Sequence, residues 1–113
     1  MKFERELLKG VAPMVVLEIL SRGAMYGYEL GEAVEERSAG ILSLGRGTLY
    51  PLLYNLEAKG LIAGEWRDDA SRKRRYYAIT GKGQDYLATQ KEQYLQLQRA
   101  TNLVFGLGGL EPA

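Results

Sequence analysis

The sequence of 113 residues predicts an α+β fold in which a helix leads directly into a β-hairpin. Residues 46–59 carry leucines at positions i, i+3, i+4 and i+7, the spacing of one apolar helix stripe, namely Leu49, Leu52, Leu53 and Leu56. Gly60 follows as a left-handed helix cap would, with Leu61 placed to pack back on the helix. Two strand-like runs come next, through Trp66 and through Tyr77. The polar residues between them make the pair a predicted hairpin.

The composition excludes several classes of function. The chain has no cysteine and no histidine, so it lacks disulfides and the commonest general base and metal ligand. The segment Met1–Lys9 has acids and bases where a signal peptide would need an apolar run. No stretch approaches the roughly 20 apolar residues of a membrane span. We therefore expect a cytoplasmic protein that is not an enzyme and that uses no metal or cofactor.

Positive charge is concentrated in one segment. The chain as a whole is nearly neutral, with 15 basic and 14 acidic residues. Residues 67–75, however, hold five bases against Asp68 and Asp69. Because phosphate binding responds to local basic patches, this distribution points to nucleic acid despite the small net charge.

The first two helices come before the leucine stripe. Pro13 suits a first helical turn, so we predict that the main first helix starts there and ends near Gly23. This helix is interpreted as a core helix, and the residues before Pro13 offer an alternative role at a subunit interface, through Leu7, Leu8 and Val11. The second helix is predicted to open within Ala24–Leu30 and to run to about Ser38.

The start of the third helix is ambiguous in the sequence. If Thr48 is the N-cap, Pro51 falls in the first turn, where its missing N–H is harmless. A start at Gly45 places Pro51 further inside the helix. We favour the earlier start, after a turn over residues 39–45 whose two glycines suit a bent connection.

The outward face of the third helix carries residues able to contact a DNA groove. With the leucines inward, Pro51, Tyr54, Asn55 and Ala58 point outward, Gly47 and Thr48 lie at the N-terminal edge, and Tyr50 lies on the flank. Asn55 can pair with adenine, Thr48 can donate or pack on thymine, and Tyr54 can reach phosphate. The alternative interpretation is a set of ordinary solvent-exposed positions.

The hairpin is predicted to have a basic tip. Residues 68–75 are expected to form a loop ending in four consecutive bases, Arg72, Lys73, Arg74 and Arg75. Such a loop would lie where the wing of a winged helix-turn-helix straddles the DNA backbone, although charged loops are often only solvated. Helix, tight turn and basic hairpin together predict a winged helix-turn-helix DNA-binding domain over residues 1–83.

One more helix is predicted after the winged helix-turn-helix domain. Thr80 is a candidate N-cap, and a helix is predicted from Gln84 to about Val104 with apolar residues at Leu87, Tyr94 and Leu97. Burial against a second copy of the chain is the simplest use of that surface. Residues 84–113 are therefore predicted to be a dimerisation helix followed by a frayed tail over residues 105–113.

Four motifs resemble those of the PadR family of bacterial transcriptional regulators. They are Tyr26-Gly-Tyr-Glu-Leu30, Gly47-Thr-Leu-Tyr-Pro51, Leu56-Glu-Ala-Lys-Gly-Leu-Ile62 and Arg75-Tyr-Tyr-Ala-Ile-Thr-Gly81, and the resemblance runs from about Leu7 to Leu87. The single last helix is similar to the short, one-domain subfamily. The resemblance implies a homodimeric repressor whose first and last helices form the dimer contact.

The chain departs from the family pattern in two places. In multidrug-binding short members an aromatic on the last helix lines an apolar pore between subunits, and Tyr94 stands at the matching position in place of their Trp. Family members often carry Ser-Pro before Gly-Thr-Leu-Tyr, where this chain has Gly45-Arg46 and so adds a base at the groove entrance.

The function expected from the sequence is sequence-specific regulation of transcription. A homodimeric repressor would bind an inverted-repeat operator in double-stranded DNA and would be released by a small apolar effector or another signal. Arg46, Tyr54 and the wing bases are the expected phosphate contacts, and Thr48 and Asn55 the expected base readers. The alternatives are a winged-helix protein-interaction module and a small-molecule-binding module, both without DNA binding.

Overall fold

The structure is a computed structural model that describes residues 1–107, and in this range it has four helices and one three-stranded antiparallel sheet. In chain order the elements are α1 (Arg5–Leu20), β1 (Met25–Tyr26), α2 (Gly27–Arg37), α3 (Arg46–Ala58), β2 (Ile62–Asp69), β3 (Arg72–Ile79) and α4 (Gly81–Val104). The strand order is β1-β3-β2, with the long hairpin β2–β3 at one side. The predicted α+β winged helix-turn-helix fold is confirmed.

Helix α3 begins at the earlier of the two positions considered, as predicted. Gly45 is its N-cap, so Pro51 lies inside the helix. Leucines at the predicted spacing hold it on the core: Leu49, Leu53 and Leu56 are buried, and Leu52 is half-buried. The helix ends at the predicted glycine cap, where Gly60 has a φ of +75° and Leu61 N–H donates to the Leu56 carbonyl at 3.0 Å.

Helix α1 starts eight residues before the predicted position, so placing Pro13 in its first turn was wrong. A proline inside a helix removes the hydrogen bond to the carbonyl four residues earlier. Apolar packing on both sides of Pro13 offsets that loss, because Ala12 and Val16 are buried and Leu8 packs against the core. The helix therefore continues through the proline.

Strand β1 occupies residues that were predicted to open the second helix. Met25 and Tyr26 pair with Tyr77 and Tyr76 of β3, and the Tyr26 and Tyr76 rings meet edge to face at 5.4 Å. Because the partner strand lies some fifty residues away in the sequence, local periodicity could not reveal the pairing. Helix α2 then begins at Gly27, where Tyr26 N–H donates to Glu29 Oε1 at 3.3 Å.

The predicted loop at residues 68–75 is wrong in extent. Strand β2 continues to Asp69 and β3 begins at Arg72, so the turn is only Ala70–Ser71, with Ala70 at a φ of +57°. The four consecutive bases thus belong to a paired strand. Since neighbouring residues of a strand point to opposite faces, the bases are divided between the two faces of the hairpin.

Helix α4 contacts the rest of the domain along its first half, as far as Tyr94, and then extends beyond it. Its predicted N-cap is confirmed: Thr80 Oγ1 accepts from Gly83 N–H at 3.0 Å. Leu87 is buried in the core, whereas residues 91–100 are exposed. The helix ends in a glycine cap in which Leu107 N–H donates to the Asn102 carbonyl at 2.7 Å, so fraying of residues 105–107 is not observed.

The rest of the predicted frayed tail, residues 108–113, lies outside the described residues. None of the helices within residues 1–107 is long and apolar enough to span a bilayer.

Candidate nucleic-acid interface

Helix α3 presents an exposed polar face. Thr48, Tyr54 and Asn55 all point to solvent, and Tyr54 is 75% exposed. Arg46 occupies the first helical position and lies over the Tyr50 ring, with 5.6 Å between its guanidinium carbon and the ring centroid. The amide dipoles of a helix N-terminus add partial positive charge there, so this end of α3 favours an anion.

Tyr50 also holds α3 against the start of α2. A Cβ added at Gly27 would lie 2.5 Å from the Tyr50 hydroxyl oxygen and 2.8 Å from its Cζ. The ring therefore needs the space that glycine leaves. Tyr50 keeps 40% of its surface exposed, so it both packs α2 on α3 and faces the cleft described below.

The inner face of the hairpin holds Lys73 and Arg75, in register with Asp68 and Trp66. Arg75 is half-buried, and its Nη2 donates to Glu57 Oε2 of α3 at 2.7 Å. Lys73, nearer the turn, is exposed. Of the two bases on this face, Arg75 is therefore paired with an acid of α3, and Lys73 is open to solvent.

The outer face holds Arg72 and Arg74. Arg74 is paired with Asp69 and lies over the Tyr26 ring at 4.5 Å from the centroid. Hydrogen bonds from Arg74 and then from the Tyr76 hydroxyl hold the pKa of the Asp69 carboxyl below its usual range. Partial burial, with help from Asp69, raises the pKa of Tyr76. Arg74 is thus paired with an acid of the same hairpin, whereas Arg72 is exposed at the end of the strand.

A cleft of about 1020 Å³ joins the N-terminus of α3 to the hairpin. Arg46 lines it together with all four consecutive bases, while Glu32 and Glu35 of α2 line another part. Within residues 1–107, no carboxylate lies within 4.0 Å of the charged groups of Arg46, Arg72 or Lys73. Three exposed bases without an internal partner therefore border one cleft.

The residues predicted for subunit or ligand contacts are dispersed. Leu7 and Leu97 are 64% and 67% exposed, and Leu87 is buried in the core of its own chain. Val11 and Tyr94 line a shared, mainly apolar groove of about 440 Å³ between α1, α2 and α4. Leu8 is half-buried against the core.

Sequence reasoning missed the two acids that engage wing bases. The sequence placed Asp69 among the acids of a basic loop and Glu57 within a family motif, but it indicated neither as the partner of an arginine. Glu57 could have been noticed, because a carboxylate in the last turn of a helix is opposed by the helix dipole and calls for a cationic partner.

Comparison with known proteins agrees with this geometry. Residues 16–89 match the family described as the Transcriptional regulator PadR-like family. The chain is 34% identical over 84 residues to the Transcriptional regulator YqjI of Escherichia coli, covering 74% of this chain and 39% of YqjI. It is 26% identical over 107 residues to an uncharacterised Lysinibacillus sphaericus protein, covering 94% of this chain and 96% of that protein.

Solved structures show the same architecture. A PadR family transcriptional regulator from Eggerthella lenta has a TM-score of 0.79 at 33% identity, with 88% of this chain and 86% of that chain covered. A transcriptional regulator from Clostridium thermocellum has a TM-score of 0.81 at 25% identity, with 86% and 95% covered. With the family match spanning most of the chain, including α3 and the whole hairpin, this protein belongs to the PadR-like family of DNA-binding transcriptional regulators.

Proposed function

We propose that the chain acts as a homodimeric repressor that places α3 in the major groove and the hairpin, as a wing, on the adjacent backbone. The observation that carries this proposal is the single cleft joining Arg46 at the start of α3 to the exposed wing bases Arg72 and Lys73. Bases contributed by two separate elements to one surface match the spread of phosphates along a duplex.

Within this interface the residues have different roles. Thr48 and Asn55 read base edges from the exposed face of α3. Arg46, Tyr54, Arg72 and Lys73 contact phosphates, together with Tyr50 on the flank of α3, and the outward-facing Pro51 packs against the DNA beside them. A Cβ added at Gly47 would have no heavy atom within 4 Å, so internal packing does not require a glycine at this position. The role proposed for Gly47 is therefore to let the backbone approach DNA closely.

The proposed dimer uses the half of α4 that the rest of the chain leaves uncovered. Large apolar side chains remain exposed there, including Leu95, Leu97, Leu103, Val104 and Phe105. An apolar surface of this extent is a liability in a monomer and is typical of an association site. A second copy related by a two-fold axis would cover it, would bring in Leu7, Leu8 and Val11 of α1, and would present two α3 helices to an inverted-repeat operator.

The proposed inducer is a small apolar molecule. The groove that contains Val11 and Tyr94 has the volume of a small-ligand site and a mainly apolar surface, although Glu18, Arg37 and Lys91 also line it. A ligand bound there would contact α1 and α4 and could alter the spacing of the two α3 helices. It can release DNA only to the extent that it binds one arrangement more tightly than the other.

The test is to recover bound genomic DNA with the full chain, define the operator, and compare variants of α4. Tyr94→Asp and Leu97→Asp should give monomers in sedimentation and should lose far more affinity for the operator than for random DNA. Gln84→Asp is the matched control, because Gln84 is exposed in the first turn of α4, outside the half of the helix proposed for dimerisation. A Leu97→Asp monomer that keeps full operator affinity would contradict the dimer proposal.

A further inference from the structure

A carboxylate at the end of the DNA-reading helix joins that helix to both strands of the wing. Glu57 lies in the last turn of α3, where the helix dipole opposes a negative charge, so the stability of the helix does not account for it. Its Oε2 accepts two hydrogen bonds, from Gly64 N–H of β2 at 3.0 Å and from Arg75 Nη2 of β3 at 2.7 Å.

The guanidinium of Arg75 makes further contacts within the hairpin. It covers Gly64 so closely that an added Cβ would lie 2.6 Å from Arg75 Nε and 2.7 Å from Cζ. Its Cζ lies 5.7 Å from the Trp66 ring centroid and 5.8 Å from that of Tyr77. An arginine that is half-buried and already paired with a carboxylate is less available to bind a phosphate than the exposed Arg72 and Lys73.

The outer part of the wing has only two strands, so a contact with α3 is needed to fix its position. Strand β1 pairs only with Tyr76 and Tyr77, so from Arg75 to the turn the hairpin has two strands. An isolated two-stranded hairpin is marginally stable in water. Arg75 lies at the start of this two-stranded part, and the exposed Arg72 and Lys73 lie nearer the turn on the same strand.

We propose that Glu57, Arg75 and Gly64 form a clasp that fixes the wing relative to α3, and that Arg75 is a positioning residue and not a phosphate contact. The clasp sets the distance between the base readers Thr48 and Asn55 and the phosphate-binding Arg72 and Lys73. This inference rests on the proposed function, since it matters only if α3 and the wing contact one duplex.

The experiment is a double-mutant cycle with Glu57→Gln, Arg75→Gln and the pair, measured by operator affinity at several salt concentrations. If the clasp positions the wing, each single variant weakens operator binding and the pair is no worse than either, with a coupling of about twofold to a hundredfold. If Arg75 instead binds phosphate, Glu57→Gln frees it and binding stays the same or tightens, and this result overturns the proposal.

Gly64→Ala provides an independent variant that keeps both charges but displaces the guanidinium. It should reproduce the effect of Glu57→Gln, and hydroxyl-radical footprinting should show loss of backbone protection by the wing while base preference under α3 is kept. Thermal melting establishes that each variant is folded under the binding conditions. If wild-type protein binds no DNA, the proposed function fails; if it binds and neither Gly64→Ala nor Glu57→Gln alters the wing footprint, the clasp alone fails.

Discussion

Lys91 of α4 donates a hydrogen bond of 2.6 Å to Glu18 Oε1 of α1. The second carboxylate oxygen of Glu18, Oε2, lies 3.6 Å from Nη2 of Arg22. Chiefly because of the hydrogen bond from Lys91, the pKa of the Glu18 carboxyl is lowered in the folded chain. This pair ties the helix proposed for dimerisation to the first helix of the DNA-binding domain.

The first prediction concerns pH. A carboxyl whose pKa is lower in the folded state stabilises the fold above its unfolded pKa, and that contribution is lost as the pH falls through the folded pKa. Glu18→Gln should therefore lower the free energy of unfolding at pH 7 by about 0.2–1 kcal/mol, the range for solvent-exposed pairs. The difference should disappear in acid, below the folded pKa.

Urea unfolding at pH 7 and in acid measures this effect. Glu92→Gln is the control, because Glu92 is exposed in the middle of α4, away from both helix ends, and makes no ion pair within residues 1–107. Equal losses for the two variants at pH 7 would show that the Glu18–Lys91 contact contributes nothing specific.

A second prediction concerns the junction between the hairpin and α4. A Cβ added at Gly83 would overlap the backbone carbonyl oxygen of Leu61 and lie 2.8 Å from Ile79 Cγ1. Gly83→Ala should destabilise the fold by at least about 1–3 kcal/mol, because backbone must move to make room. Gly81→Ala, two residues earlier with open space around it, should be neutral or slightly stabilising. Chemical denaturation distinguishes them, and a Gly83→Ala protein as stable as Gly81→Ala would contradict the packing described.

The third prediction separates base readers from phosphate contacts. Asn55→Ala should relax base preference at one operator position and weaken the preferred site by about 1–3 kcal/mol. Arg46→Ala should weaken the operator and random DNA alike, because a phosphate contact carries no sequence information. Binding selections with randomised operators give both results. Uniform weakening by both variants would remove Asn55 as a reader and assign specificity to DNA shape.

The sequence predicted those parts of the fold that depend on local signals. The leucine stripe of α3, the glycine cap at Gly60 and the Thr80 cap each follow from neighbouring residues, and all three are confirmed. Pro13 gave a misleading local signal, because tertiary packing of Ala12 and Val16 outweighs the loss of one helical hydrogen bond.

The site was less predictable because its properties arise from contacts between distant residues. Four adjacent bases look alike in a sequence, yet the structure pairs Arg74 with Asp69 and Arg75 with Glu57 and leaves Arg72 and Lys73 exposed. The polar composition of residues 68–75 suggested a loop, since no glycine or asparagine marks the turn at Ala70–Ser71. The strand register, which divides the bases between two faces, could be assigned only from the fold.

The salt dependence of operator binding tests the central claim most directly, namely that α3 and the exposed wing bases bind DNA together. Each phosphate contact contributes about 0.9 to the slope of log K against log salt, so Arg72→Ala with Lys73→Ala should lower the slope by about 1.8 per wing. The double variant Arg22→Ala with Arg37→Ala, which removes the same charge away from the cleft, should leave the slope nearly unchanged. A full slope in the Arg72→Ala/Lys73→Ala protein would contradict the account, because the wing would then make no phosphate contact.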